Sequence, residues 1–117
     1  MFIAYRLSVM FTLVIASVGT LFAEHTVLLH GKAGLVRVEP DGEISWQMDW
    51  GGIHDIHQLP DGTILTREGR TAVVEINPAT KEVVWRYDSS KQNGNNGKPV
   101  EVHAFERLGN GLTMIAE

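Results

Sequence analysis

An internal repeat is the feature that most limits how this chain can fold. The segment GLVRVEPDGEISWQMD, residues 34–49, matches AVVEINPATKEVVWRYD, residues 72–88, with one extra residue in the turn of the second copy. A second pair matches too, because HDIHQLPDGTIL at residues 54–65 is similar to HAFERLGNGLTM at residues 103–114. Self-similarity of this kind is typical of architectures in which each unit packs only against its neighbours.

The two matches differ in their offset along the chain. The first pair is displaced by 38 to 39 residues and the second by 49, and the polar insertion SSKQNGNNGK at residues 89–98 accounts for the difference. The alignment sets Trp46 against Trp85 and Gly62 against Gly111. These pairs are therefore candidates for positions with the same structural role in successive units.

Short runs rich in β-branched and aromatic residues alternate with turn signals such as Pro60-Asp61-Gly62 and Gly109-Asn110-Gly111. Glycine and asparagine tolerate the positive φ that tight hairpins need, so the pattern predicts antiparallel strands and no amphipathic helix. Strands are predicted over residues 26–30, 35–39, 43–48, 53–59, 63–67, 72–77, 82–87, 100–108 and 112–116.

The N-terminus has a different composition. A single cation, Arg6, precedes the uncharged run LSVMFTLVIASVGTLFA at residues 7–23, which is the layout of a secretory signal. Leu21 and Ala23 fit the small-x-small cleavage rule only at the second position, so an uncleaved membrane anchor is the alternative. We therefore predict an N-terminal signal or anchor helix over residues 1–23 and an exported protein, periplasmic or extracellular.

Charge and cysteine content narrow the function classes. Removal of residues 1–23 takes away one cation and no anion, so the formal net charge of −4 becomes about −5. An acidic chain without a basic stripe argues against a nucleic-acid partner. The chain contains no cysteine, which rules out disulfides and thiolate metal sites. The fold must therefore rest on packing alone.

A unit of about 40 residues with four short strands predicts the blade of a β-propeller. The strings GLVRVEPDGEISW and AVVEINPATKEVVW resemble the PQQ-like (quinoprotein-type) repeat, and the resemblance extends over most of the chain after residue 23. It implies four-stranded antiparallel blades in which the strand with Trp46 or Trp85 is outermost. The expected fold class is all-β, a partial propeller of about two to two and a half blades.

Counting strands divides the chain after the signal into four parts. Residues 24–50 form a partial blade, residues 51–88 a full blade, residues 89–99 a polar insertion loop and residues 100–117 the start of the next blade. A closed propeller needs about four to eight blades. We therefore expect either a truncated product of a longer gene or self-association through open blade faces.

Histidines are the candidate catalytic residues. His54 and His103 align in the repeat and start predicted innermost strands, where both could line the mouth of a central channel. The pattern also resembles, more faintly, arylsulfotransferase-like propellers, which implies an imidazole acting as nucleophile or acid/base near neutral pH. The structural explanation is that each histidine bonds a neighbouring blade and positions the hairpin. His57 points to the opposite face from His54, so the two are a poor chelating pair.

The other repeated residues favour structural roles. Trp46 and Trp85 are predicted to wedge between blades, and Gly62 and Gly111 to supply tight turns. No metal site is predicted, because a site needs three or four convergent ligands. No cofactor is predicted either, since no basic cluster is present that could hold a quinone with three carboxylates.

Two functions from different classes remain. The first is an exported scaffold that binds or assembles with a protein or a small-molecule ligand and has no catalytic site of its own. The alternative is the N-terminal part of a secreted propeller enzyme, an arylsulfotransferase-like transferase or quinoprotein-like oxidoreductase, with His54 and His103 in its channel. Further channel histidines or an arginine cluster in a longer reading frame would favour the enzyme.

Overall fold

The computed structural model describes residues 25–32, 34–51 and 55–117. The described residues form nine strands: β1 (Val27–Gly31), β2 (Gly34–Val38), β3 (Ile44–Met48), β4 (Ile56–Gln58), β5 (Ile64–Glu68), β6 (Ala72–Asn77), β7 (Glu82–Asp88), β8 (Ala104–Arg107) and β9 (Thr113–Ala116). None of these residues forms a helix with the length and apolar character of a membrane span. The predicted N-terminal signal or anchor, residues 1–23, lies outside the described residues.

The strands form three antiparallel sheets in chain order. The first sheet has the order β1-β2-β3, the second β4-β5-β6-β7, and the third β8-β9. Every neighbouring pair is a sequential hairpin, as expected for blades of a propeller. The predicted fold class, an all-β partial propeller, is confirmed.

Strand register shows that the repeat in sequence is a repeat in structure. In the first sheet Arg37 lies opposite Trp46, and the register shifts immediately afterwards. In the second sheet Glu75 lies opposite Trp85, and the register shifts at the same place. A β-bulge re-aims the side chains around it. The two tryptophans therefore leave their sheets from equivalent positions.

The hairpin turns repeat as well. Gly62 N–H donates to Leu59 O and Gly111 N–H to Leu108 O, both at 2.9 Å. Gly62 has φ of 88° and Gly111 of 84°, the left-handed region that glycine adopts without steric cost. The β6–β7 turn, with its extra residue, instead places Lys81 at φ 59°. A side chain thus occupies a conformation that glycine takes in the other turns.

The core consists of two apolar layers between the sheets. Buried residues of the first layer are Leu35, Ile64, Val74 and Ile76, and Trp46, Met48 and Trp50 pack against them. Buried residues of the second layer are Leu65, Val73, Val102 and Phe105, and Trp85 and Ile115 pack against them. The second sheet lies between the two layers and contributes to both.

Strand β8 begins later than the sequence predicts. The predicted strand starts at Val100, whereas the observed strand starts at Ala104. Before that point Val102 N–H donates to Arg70 O at 2.9 Å, and the Val102 side chain is fully buried. The connection therefore bonds to the second sheet before it enters the third.

Candidate functional site

The predicted channel histidines are only partly described. His54 lies within residues 52–54, outside the described residues, so its pairing with His103 stays a prediction. His103 is exposed just before β8, and its backbone N–H donates to Ala116 O at 2.9 Å. That bond joins the two ends of the β8–β9 hairpin and leaves the imidazole exposed.

Two other histidines contact residues at the sheet boundaries. His57 Nε2 lies 3.0 Å from Asp55 Oδ2, and its ring meets the edge of Phe105 with centroids 5.4 Å apart. His30 Nε2 donates to Trp50 O at 3.1 Å. Within the described residues, no group of three or more histidine, cysteine, aspartate or glutamate side chains is arranged to hold a metal ion.

The two repeated tryptophans lie between sheets. Trp46 extends from β3 towards the second sheet, and its indole N–H donates to Pro78 O at 2.7 Å. Trp85 extends from β7 towards the third sheet, and the guanidinium of Arg107 lies 5.2 Å from its ring centroid. At that distance a cation is attracted to the face of the ring. Both rings therefore contact the next sheet or its turns. Trp46 does so through a hydrogen bond and Trp85 through a cation–π contact with Arg107.

A buried arginine, which the repeat did not single out, ties the second sheet to the third. Arg67 on β5 is 5% exposed, and its Nη1 donates to Val102 O at 2.8 Å. Glu101 lies 3.6 Å from Arg67 and accepts a bond from Arg70 at 2.7 Å. The hydrogen bond and charge of Arg70 hold the pKa of the Glu101 carboxyl below its ordinary value. The connection into the third sheet is thus fixed by a small charged network.

The signal for Arg67 was present in the sequence. Strand β5 begins with two large apolar residues, Ile64 and Leu65, and a charge that follows them into a buried strand must find a partner. Strand register shows that Arg67 and His30 occupy the same repeat position. His30 lies opposite Leu35 and Arg67 opposite Val73, and the sequence repeat aligns Leu35 with Val73. Each side chain bonds a backbone carbonyl, Trp50 O or Val102 O, in the link that leaves its own blade.

A second ion pair crosses the same boundary. Arg107 Nη2 lies 2.7 Å from Glu75 Oε2, and both side chains are largely buried. Thr63 Oγ1 also donates to Glu75, at 3.0 Å to Oε1. The Glu75 carboxylate therefore accepts hydrogen bonds from Arg107 and Thr63, and these bonds offset the cost of removing its charge from water.

Beside these residues is an open groove, here called the β9 groove. It has a volume of about 460 Å³ and is lined by Trp85, Tyr87, Asn93, Arg107, Gly111, Leu112, Thr113, Ile115 and Glu117. Burial raises the pKa of the Tyr87 hydroxyl above its ordinary value. The insertion loop closes one end, where Asn93 and Asn95 each donate a side-chain bond of 2.8 Å to Glu117.

Strand β9 forms one wall of the groove. Its lining residues Thr113, Ile115 and Glu117 alternate along the strand and lie on the face toward the second sheet, and within the described residues β9 pairs only with β8. The equivalent strand of the second sheet, β5, pairs with β4 on one side and with β6 on the other. In the second sheet, β6 occupies the place that corresponds to the β9 groove, and its side chains pack against Trp46 and Met48.

Comparison with known proteins agrees with this repeat architecture. Residues 31–105 match the family model described as outer membrane protein assembly factor BamB. Nothing among the curated proteins or the solved structures matches the chain. The resemblance to arylsulfotransferase-like propellers finds no support in these comparisons and stays a prediction. Since the matched range is more than half of the chain and contains both tryptophan-bearing segments, the chain belongs to the PQQ-like repeat family that this description represents.

Proposed function

We propose that this chain is an exported propeller-repeat scaffold that binds an extended segment of another polypeptide in the β9 groove. The observation that carries the proposal is the β9 groove itself, which is lined by the large side chains Trp85 and Tyr87 and lies beside a strand that pairs only with β8 among the described residues. Strand edges offer unpaired N–H and C=O groups, and an extended peptide that adds to such an edge satisfies them.

The chemistry of the bound segment follows from the second sheet. There β6 lies in the equivalent place, and its Val74 and Ile76 are fully buried against Trp46 and Met48 of the first sheet. In the repeat, Trp46 and Met48 correspond to Trp85 and Tyr87, which line the β9 groove. A segment that fits should therefore carry β-branched apolar residues at alternate positions.

The family description supports a polypeptide partner. It names a factor that assists the assembly of outer membrane proteins, and the objects of such assembly are polypeptide chains. The sequence of residues 1–23 supports export, because one cation precedes an uncharged apolar run. The chain would meet its partner outside the cytoplasm.

Peptide binding is the direct test. A fluorescently labelled peptide with the sequence of residues 71–77, TAVVEIN, carries the required alternation. We expect it to bind the full chain in mild detergent, as measured by fluorescence anisotropy. A peptide with lysine in place of its last valine and its isoleucine is the matched control and should not bind, because the apolar contacts with the groove are lost.

Two variants of the chain locate the site. Leu112 lines the groove and is 64% exposed, so Leu112→Asp should fold normally and weaken peptide binding at least tenfold, about 1.4 kcal/mol. Val84 on β7 is 55% exposed and does not line the groove, so Val84→Asp should bind as the parent chain does. Equal affinity of the parent, Leu112→Asp and Val84→Asp chains would reject the groove as the binding site.

Export has its own measurement. N-terminal sequencing of the protein recovered from the periplasm or medium should begin at Glu24 if the signal is cleaved after residue 23. An intact Met1 in a membrane fraction would indicate the uncleaved anchor. Recovery in the cytoplasmic fraction alone would contradict export.

A further inference from the structure

Three exposed asparagines of the chain are each followed directly by glycine. The pairs are Asn93-Gly94, Asn96-Gly97 and Asn110-Gly111. An asparagine in this setting can lose its side-chain amide without an enzyme, because glycine has no side chain to shield its backbone nitrogen. The reactivity of each asparagine in the folded chain therefore depends on how its turn holds the two groups that react.

The reaction joins the asparagine side chain to the next backbone nitrogen. At Asn96, the nitrogen of Gly97 forms a bond with Cγ and gives up its proton, while the Cγ–Nδ2 bond breaks and ammonia leaves with that proton. Water from the solvent then opens the cyclic imide at either of its two carbonyls. The product is aspartate or isoaspartate, and nothing is oxidised or reduced.

We infer that the insertion loop is a site of spontaneous deamidation, in which Asn96 reacts first and Asn93 second, and that the second reaction releases the loop from strand β9. Asn110 reacts most slowly of the three. The inference does not depend on peptide binding in the β9 groove.

The position of the glycine in its turn separates Asn110 from the loop asparagines. In a hydrogen-bonded β-turn the N–H of the fourth residue donates to the carbonyl of the first, and the N–H of the third takes no part. Gly111 is the fourth residue of its turn, and its N–H donates to Leu108 O at 2.9 Å. The side chain of Asn110 is held as well, because its Oδ1 accepts from Leu112 N at 3.0 Å. Hydrogen bonds therefore restrain both reacting groups of this pair.

The two loop glycines are instead the third residues of their turns. One turn closes where Asn95 N–H donates to Gln92 O at 3.1 Å, and the next closes where Lys98 N–H donates to Asn95 O at 2.8 Å. Among the described residues, neither Gly94 N–H nor Gly97 N–H has a backbone acceptor. A Cβ built on either glycine would meet nothing within 4 Å, so the space beside both nitrogens is open.

Glu117 distinguishes the two loop sites from each other. Asn93 Nδ2 donates to Glu117 Oε1 at 2.8 Å, which restrains the Asn93 side chain. The other described amide bond to Glu117 comes from Asn95, so Asn96 takes no part in this contact. Each hydrogen bond that has to open adds to the activation barrier. The expected order of reaction is therefore Asn96, then Asn93, then Asn110.

Reaction at Asn93 changes its contact with Glu117 from attraction to repulsion. The amide that donates the hydrogen bond is replaced by a carboxylate, which places two negative charges side by side. Of the two amide bonds described to Glu117, only the bond from Asn95 then remains. The insertion loop should therefore separate from β9.

Peptide mapping by mass spectrometry measures the order of reaction. After the full chain is incubated in mildly alkaline buffer, trypsin cuts after Arg107, so the loop asparagines and Asn110 fall in different fragments. We expect Asn96 to deamidate roughly tenfold or more faster than Asn110, with Asn93 between them. The chain unfolded in guanidinium chloride is the matched control, and its three sites should react at similar rates because each is an Asn-Gly pair.

A variant tests the restraint on Asn93. Glu117→Ala removes the acceptor of the Asn93 amide, so deamidation at Asn93 should become several-fold faster while that at Asn96 stays unchanged. Glu106→Ala is the matched control, because Glu106 is also exposed and makes no described bond to the loop. Both sites should react in this variant as they do in the parent chain.

Tryptic cleavage of the folded chain tests the release of the loop. Asn93→Asp imitates the product of the second reaction and should speed cleavage after Lys91, which lies in the loop and is 76% exposed. Asn96→Asp adds the same charge to the same loop away from Glu117, and should be cleaved there as the parent chain is.

Two results would overturn the inference. One is an Asn110 that deamidates as fast as Asn96 in the folded chain, since turn position would then not control the reaction. The other is equal cleavage after Lys91 in the Asn93→Asp and Asn96→Asp variants, which would show that the loop stays on β9. Peptide affinity enters neither readout, so this inference and the proposed function can fail separately.

Discussion

The two boundaries between sheets share a tryptophan at one repeat position but differ in the polar contacts beside it. Between the first and second sheets, the indole N–H groups of Trp46 and Trp50 donate to Pro78 O and Arg67 O, at 2.7 and 2.9 Å. Between the second and third sheets, the polar contacts come from arginines, with Arg67 donating to Val102 O at 2.8 Å and Arg107 to Glu75 at 2.7 Å.

The apolar packing is common to the two boundaries, whereas the polar contacts differ between them. Both boundaries bury β-branched and leucine side chains around a tryptophan at one repeat position. The polar groups that accompany this apolar packing are neutral at the first boundary and charged at the second. Packing therefore sets the spacing of the sheets, and the polar contacts fix their alignment.

Removal of a tryptophan should have the largest effect. Trp46→Ala should lower the free energy of unfolding by about 3 to 5 kcal/mol, as truncation of a packed aromatic does. Trp85→Ala should cost less, about 2 to 3 kcal/mol, because part of its ring faces the β9 groove. Urea denaturation followed by circular dichroism measures both. A loss below about 1 kcal/mol for either variant would contradict its role between the sheets.

The charged boundary should depend on Arg67. Arg67→Met keeps much of the side-chain volume but leaves the Val102 carbonyl without this donor, so we expect a loss of about 2 to 3 kcal/mol. His30→Ala at the equivalent position of the first boundary should cost less, about 1 kcal/mol, because the hydrogen bond that is lost there is only partly buried. Urea denaturation measures the free energy of unfolding of both variants. A larger loss for His30→Ala than for Arg67→Met would contradict the expected difference.

Acid should weaken the second sheet through Asp88 at the end of β7. The hydroxyl of Ser90, followed by that of Thr71, hydrogen-bonds the carboxylate and lowers its pKa from 3.8 to about 2, although burial opposes the shift. Because the pKa is lower in the folded state, the ionised Asp88 carboxylate stabilises the protein above pH 3.8. This contribution to stability is lost as the pH falls through about 2.

The matched variant is Asp88→Asn, which cannot titrate. Between pH 5 and pH 2 the parent chain should lose about 1 kcal/mol more stability than this variant, a modest figure because solvent screens the carboxylate. Urea midpoints at several pH values measure the difference. Parallel losses in the two chains would contradict the contribution of Asp88.

The smallest effect should come from the turns that close the outermost hairpins. Lys81→Gly should raise stability by about 0.5 to 1 kcal/mol, because glycine adopts positive φ without the strain of a side chain. Gly42 has φ of 88° in the equivalent turn of the first sheet, so Gly42→Ala should lower stability by about 1 kcal/mol. Thermal denaturation of the two variants should shift in opposite directions, and shifts of the same sign would contradict the turn assignment.

The sequence predicted the nine described strands and the fold class because their signals are local or repeated. Alternation, turn residues and the aligned tryptophans all pointed to the same architecture, and the register of Trp46 and Trp85 agrees with the alignment. The start of β8 was wrong by four residues. Its position depends on the bond from Val102 to Arg70 O, a tertiary contact that no local pattern signals.

The polar network was harder to predict. His30 and Arg67 are equivalent only by register, because two residues separate β1 from β2 whereas three separate β5 from β6. The β9 groove was also missed, since it depends on which side of β9 faces Trp85. The candidate histidines were found by repetition alone, and His103 is described as an exposed residue.

Hydrogen exchange of the full chain tests most directly the claim that the second sheet is a blade covered on both faces. Because β5 and β6 contribute to both core layers, their amides should be the slowest to exchange, and those of β1 and β9 should exchange faster. Exchange in β5 and β6 as fast as in β9 would contradict the account, because no covered central blade would then exist.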